Sequence, residues 1–181
     1  GEVGRDELAV PGAEALAHAV EVTLLGDDEQ GRGSRRQLGA DRLELYYFGP
    51  TTNRSSIFVV IPAVRLLVTG VAFAGKALPP LTRPAGGNGV EFPNTLTRAL
   101  PLTRDAEIII TSHDGVVKPQ ELEVHRDFMR DFLDYARQAK ASGETAAAAA
   151  RAWKIPPRYT GYTADPVLVV RSLENIYKQL K

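Results

Sequence analysis

Apolar residues recur along this chain at two spacings, and the change from one to the other divides it. Val20 to Leu25 alternates apolar with other residues and predicts a first strand. Leu43 to Phe48, Ile57 to Ile61 and Arg65 to Thr69 are short β-branched or aromatic runs. Each is closed by a breaker, Gly49-Pro50, Pro62 or Gly70, so together they predict a compact meander. Ala106 to Thr111 carries an Ile-Ile-Ile run and predicts a buried strand, after which Ser112-His113-Asp114-Gly115 turns the chain. From Pro119 the spacing lengthens. Val124, Phe128, Phe132 and Ala136, widened by Met129 and Leu133, predict a long helix over Pro119 to Ala141 that Gly143 ends. An Ala-rich helix over Thr145 to Trp153 is stopped by Pro156-Pro157. A last helix over Val167 to Leu180 places Val169, Leu173, Ile176, Tyr177 and Leu180 on one face.

The stretches between these runs read differently. Residues 1–19 lack a pattern and are expected to be an arm leading into a single domain over residues 20–181. Gly26 to Ala40 is rich in glycine and charge and reads as an exposed loop; its Arg32, Arg35 and Arg36 either grip an anion or simply meet solvent. From Val71 to Pro93, Pro79-Pro80, Pro84 and Gly86-Gly87 erase any period, which predicts a long loop or lid, and Asn94 then caps a short helix to about Leu100. The fold class expected is α+β: a mixed or mostly antiparallel sheet of about five strands, covered on one face by the long and last helices.

Composition narrows what such a domain does. The 181 residues are 44% hydrophobic and 24% charged, the balance of a soluble globular protein. Lys plus Arg and Asp plus Glu each number 22, so no global field favours nucleic acid or anionic lipid. No apolar run approaches the roughly 20 residues that span a bilayer, and the opening Gly-Glu-Val-Gly-Arg-Asp-Glu lacks a signal peptide's pattern. There is no cysteine, which removes disulfides, thiolate nucleophiles and Cys-ligated metals, and suits a cytoplasmic location. High Ala and Arg usage hints at a GC-rich bacterial genome, an expectation from composition.

Histidine is sparse. His18, His113 and His125 form no His-x-His or His-x-x-x-His pair, so spacing alone defines no metal site. His18 lies in the arm, and His125 sits among charged neighbours on the long helix and reads as a surface residue. His113 follows a strand at its C-terminal end, where α/β proteins place functional side chains. It is either such a residue or one that only bonds the turn, and Asp114 either orients the ring or serves the turn before Gly115. Ser55 or Ser56 with His113 offers a nucleophile and base, but no third group or oxyanion hole can be named.

The order "LELYYFGPTTNRSSIFVVIPAVRLLVTGVAF", then "AEIIITSHDGVV", then a long amphipathic helix, resembles the C-terminal half of the metallo-β-lactamase fold superfamily. These zinc hydrolases are αββα sandwiches, and the resemblance runs from about Val20 to the C-terminus. Active members carry Gly-Pro-x-His-Thr-x-Gly-Asp after the first of these strands, Thr-Gly-Asp after the next pair and Gly-His-Gly after the later strand. Here the three read Gly-Pro-Thr-Thr-Asn-Arg-Ser-Ser (49–56), Thr-Gly-Val (69–71) and Ser-His-Asp-Gly (112–115). The resemblance thus puts Thr52 where a ligand His is expected and Val71 where the bridging carboxylate is expected, and retains His113. The His-x-His-x-Asp-His loop of the N-terminal half is absent from these residues.

A valine donates nothing to a metal, and a threonine hydroxyl is a poor zinc ligand beside imidazole, so the resemblance implies a degenerate site with no metal and no other cofactor. Thr51, Thr52, Asn53, Arg54, Ser55, Ser56, His113 and Asp114 would line the old pocket and suit a small polar or anionic molecule, with Arg54 selecting a carboxylate, sulfate or phosphate. The same residues could instead be a solvated turn.

Half a sandwich also leaves a sheet face to cover. Ile57, Val59, Ile61, Leu66 and Val68 are expected on it, which calls for a second chain, a second copy or a longer polypeptide. Two functions remain open: a metal-independent binding or partner subunit that completes a sandwich, or a metal-dependent hydrolase or lyase whose other ligands come from a separate N-terminal piece.

Overall fold

Backbone pairing organises the molecule into one mixed sheet. The computed structural model describes residues 22–28, 31–38, 41–81 and 86–180. Among the described residues, seven strands lie side by side in chain order: β1 (Val22–Asp28), β2 (Gly31–Leu38), β3 (Asp41–Tyr47), β4 (Phe58–Ile61), β5 (Leu66–Gly70), β6 (Ile108–Thr111) and β7 (Val116–Val117). Every neighbouring pair is antiparallel except β5 and β6. A parallel pair needs a crossover, and here it contains helix α1 (Phe92–Ala99). Three more helices follow β7: α2 (Gln120–Ala141), α3 (Ala146–Ala152) and α4 (Pro166–Gln179).

Strand alternation sorts the side chains into two faces. Phe58, Leu67 and Ile109 point to one of them and are fully buried, in a single cluster with Phe92 and Leu96 of α1 and with Leu122, Phe128, Met129, Phe132 and Leu133 of α2. Val169, Leu173 and Ile176 of α4 join the same cluster. Side-chain caps start the last two helices: Thr145 Oγ1 accepts from Ala148 N, and Asp165 Oδ1 accepts from Val167 N and Leu168 N.

The opposite face is also apolar but stays outside the core cluster. The register aligns Leu45, Val59, Val68, Ile110 and Val116 in one row across five strands, and Ile61, Leu66 and Ile108 in a second. Most of these are half-buried, while Ile108 is 39% and Val116 63% exposed. Ile57, expected with them, precedes β4 and is itself exposed.

The structure corrects several expectations. The sheet has more than the expected strands because β2 runs through the supposed Gly26–Ala40 loop and β7 follows the His113 turn. A strand flanked on both sides is held by its backbone ladder, which needs no apolar alternation; Arg32, Arg35 and Arg36 fall on β2, and their side chains lie outside the described residues. Helix α1 starts at Phe92, so Asn94 lies inside it rather than capping it. The polar cap comes earlier, where Asn88 Oδ1 accepts from Val90 N and Glu91 N, and Pro93 fits the first turn because its missing N–H would have no partner there. Nor is the Val71–Pro93 stretch a detached lid. Ala72, Phe73, Leu78 and Leu81 anchor its described part in the core, and residues 82–85 lie outside the described residues. The arm over residues 1–19, with His18, also lies outside them.

Candidate functional site

Three turns meet at one end of the sheet. The turn after β3 (residues 49–56) is held by its own polar groups: Asn53 Oδ1 accepts from Ser55 N and Ser56 Oγ, and Ser56 Oγ also bonds Thr51 Oγ1. Asn88 N donates to Thr51 O at 2.9 Å, closing the loop before α1 over this turn. A Cβ on Gly87 would stand 2.5 Å from Thr52 O, so the approach requires glycine. Gly70, with φ of 51°, ends β5 and starts a 3-10 turn over Val71–Phe73. The third turn follows β6. His113 N and Asp114 N both donate to Ala74 O, at 2.9 and 3.2 Å, and Asp114 Oδ2 accepts from Lys76 N at 2.7 Å. Gly75 makes room for that carboxylate, since a Cβ there would sit 2.4 Å from it.

Thr52, Val71 and His113, one from each turn, line a single cleft of about 330 Å³. These are the three positions that the motif resemblance singled out. Asp114 and His125 complete the polar lining, and Ala77, Leu78, Pro79, Pro80 and Leu168 add apolar walls. Thr52 is nearly buried, whereas His113 and Asp114 are exposed at the mouth.

Of the other residues expected at the pocket, Asn53 and Ser56 are engaged in holding their turn, and Ser55 is exposed. Neither serine lines the cleft with His113. Arg54 lies elsewhere: its stem packs on Gly86, and it lines a separate depression with Tyr47, Asn88 and Gln179. The grouping of Arg54 with His113 is therefore not the arrangement seen, because the turn directs Thr52 and Arg54 to different clefts.

His125 is a correction of a different kind. Expected on the surface, it is 1% exposed and stacks on Phe73 at 4.6 Å between ring centroids, with Phe92, Phe128 and Tyr162 around it. Burial pulls its pKa from the ordinary 6.5 down to about 3, so the ring is neutral at pH 7. Nδ1 lies 3.5 Å from Tyr162 Oη, and Nε2 has no hydrogen-bond partner among the described residues. The Tyr162 hydroxyl is in turn pushed up from its ordinary range, first by burial and then by Glu121, Tyr159 and Asp114. A sequence signal for His125 existed. Leu122, His125, Met129, Phe132 and Ala136 repeat at three and four residues, and all are buried.

The donors at this cleft do not fit a zinc pair. Thr52 offers a weak hydroxyl and Val71 nothing, and among the described residues no three His, Cys, Asp or Glu side chains cluster to hold a metal ion. No described helix is long and apolar enough to cross a membrane.

No protein-family model matches the sequence, and comparison with curated proteins finds no match. Solved structures do match. The stereoselective inverting sec-alkylsulfatase Pisa1 from Pseudomonas sp. superposes with a TM-score of 0.68 at 17% identity, over 81% of this chain and 25% of that one. A double mutant of the same enzyme gives the same TM-score and identity, over 81% and 26% of the two chains. A metallo-β-lactamase from Pontibacter korlensis superposes over 53% of this chain and 45% of that one, with a TM-score of 0.46 at 18% identity. This chain thus spans about a quarter of the alkylsulfatase it matches. Over 81% of its length this chain has the fold of the part of the alkylsulfatase that it matches.

Proposed function

We propose that this chain is a metal-independent domain of metallo-β-lactamase type that acts as a binding or partner subunit and completes a sandwich. One observation carries the reading: Thr52, Val71 and His113 converge on one cleft, and His113 alone among them is of a metal-ligating type. The cleft, with Thr52, His113, Asp114 and His125 as its polar groups, is where a small molecule would sit.

The partner role is supported by the second sheet face. Its two apolar rows are half-buried or exposed, and fully burying each Val, Ile or Leu contributes about 1.5 to 3 kcal/mol. A second layer, from an N-terminal piece or another copy, gains that free energy by covering them.

The test is sedimentation and metal analysis of the native assembly. The expected result is a particle larger than this chain, with far less than one metal per chain. A sharply melting monomer would remove the partner role. Stoichiometric zinc, iron or manganese that is lost with His113→Ala would favour the other reading, a hydrolase or lyase whose remaining ligands come from a separate piece.

A further inference from the structure

We infer that the His113 cleft takes a neutral, mainly apolar small molecule rather than an anion, an inference that rests on the proposed role of this cleft as a binding site. Its volume of about 330 Å³ falls within the roughly 300 to 1,000 Å³ of small-molecule pockets, which are walled by apolar groups with a few polar ones. Val71, Ala77, Leu78, Pro79, Pro80 and Leu168 are those walls.

The charges argue the same way. Among the described residues that line the cleft there is no Lys or Arg, and the carboxylate present is that of Asp114. Arg54 serves another depression, and Lys76, next in the chain to lining residues, pairs its ammonium with Glu121 at 3.0 Å. An anion entering the cleft would lose water, meet Asp114 and gain no guanidinium or ammonium from the described lining in return. A neutral molecule loses little. His125 adds an independent pointer, because this lining residue has a buried Nε2 left without a partner among the described residues. Such an atom is costly unless something pairs with it, and one polar group on an otherwise apolar ligand would suffice.

The experiment uses two probes with the same rings: neutral N-phenyl-1-naphthylamine and its anionic counterpart 8-anilinonaphthalene-1-sulfonate. Each is titrated by fluorescence into the full chain, the Leu168→Trp variant, which fills the cleft from α4, and the Val71→Arg variant, which adds a cation at a solvent-accessible position. The expected result is a site for the neutral probe that is weakened by at least about tenfold in Leu168→Trp, with the sulfonate bound about tenfold more weakly than the neutral probe in the parent chain. Val71→Arg should raise sulfonate affinity by about tenfold relative to the neutral probe, the worth of one charge-assisted contact, and so abolish the preference.

A Leu168-sensitive site that prefers the sulfonate in the parent chain would overturn the inference while leaving the cleft a binding site. If neither variant changes either probe, the cleft binds nothing and the reading of it as a site falls too. Should Leu168→Trp fail to fold, the probe preference in the parent chain and its loss in Val71→Arg decide the matter.

Discussion

Lowering the pH should destabilise this protein through His125. The ring is buried among Phe73, Phe92, Phe128 and Tyr162, and burial holds its folded-state pKa at about 3 against an ordinary 6.5. The unfolded chain therefore binds a proton that the folded chain refuses, and stability falls as pH drops below 6.5, continuing toward 3. Above 6.5 the effect vanishes. Each pH unit inside that window is worth about 1.4 kcal/mol. At pH 5, one and a half units below 6.5, the loss is about 2 kcal/mol relative to pH 7.5. Urea unfolding at the two pH values measures it, with His125→Phe as the reference because it keeps an aromatic ring but cannot titrate. The parent chain should lose about 2 kcal/mol more than the variant over this interval. Equal losses would show that the ring is protonated in the folded state, and would refute its neutral burial at the cleft.

Three other substitutions test the packing. Phe132→Ala on α2 removes a ring that is 1% exposed and meets Trp153 edge-on at 4.9 Å, and should cost about 3 to 5 kcal/mol in denaturant unfolding. Gly75→Ala should displace the Asp114 carboxylate and its bond from Lys76 N, lowering stability by about 1 to 3 kcal/mol, with a matching loss of amide protection at Lys76 in hydrogen exchange. Gly87→Ala places a methyl 2.5 Å from backbone oxygen of Thr52, which cannot swing away, so a clear fall in melting temperature is expected, worth about 1 to 3 kcal/mol.

Local pattern was enough for what depends on local pattern. The breakers Pro62 and Gly70, the apolar runs of β3 to β6 and the four-residue repeat after Pro119 fall where strands and helices form, because backbone geometry ties these periods to one buried face. The resemblance carried by the turn motifs also marked Thr52, Val71 and His113, which the fold brings to one cleft. Tertiary structure decided the rest. Strand β2 has no apolar alternation, and it exists because β1 and β3 satisfy its backbone from both sides. His125 has charged chain neighbours in Arg126 and Asp127, yet a helix buries by angle rather than by adjacency, and its ring faces Phe73 from a distant turn. Thr52 and Arg54 are two residues apart but open onto different clefts, since the bonds from Asn53 and the loop over Thr51 set the direction of each side chain. The lining that makes the cleft apolar, Leu78 to Pro80 and Leu168, comes from segments some 90 residues apart, a meeting that only the packed fold brings about.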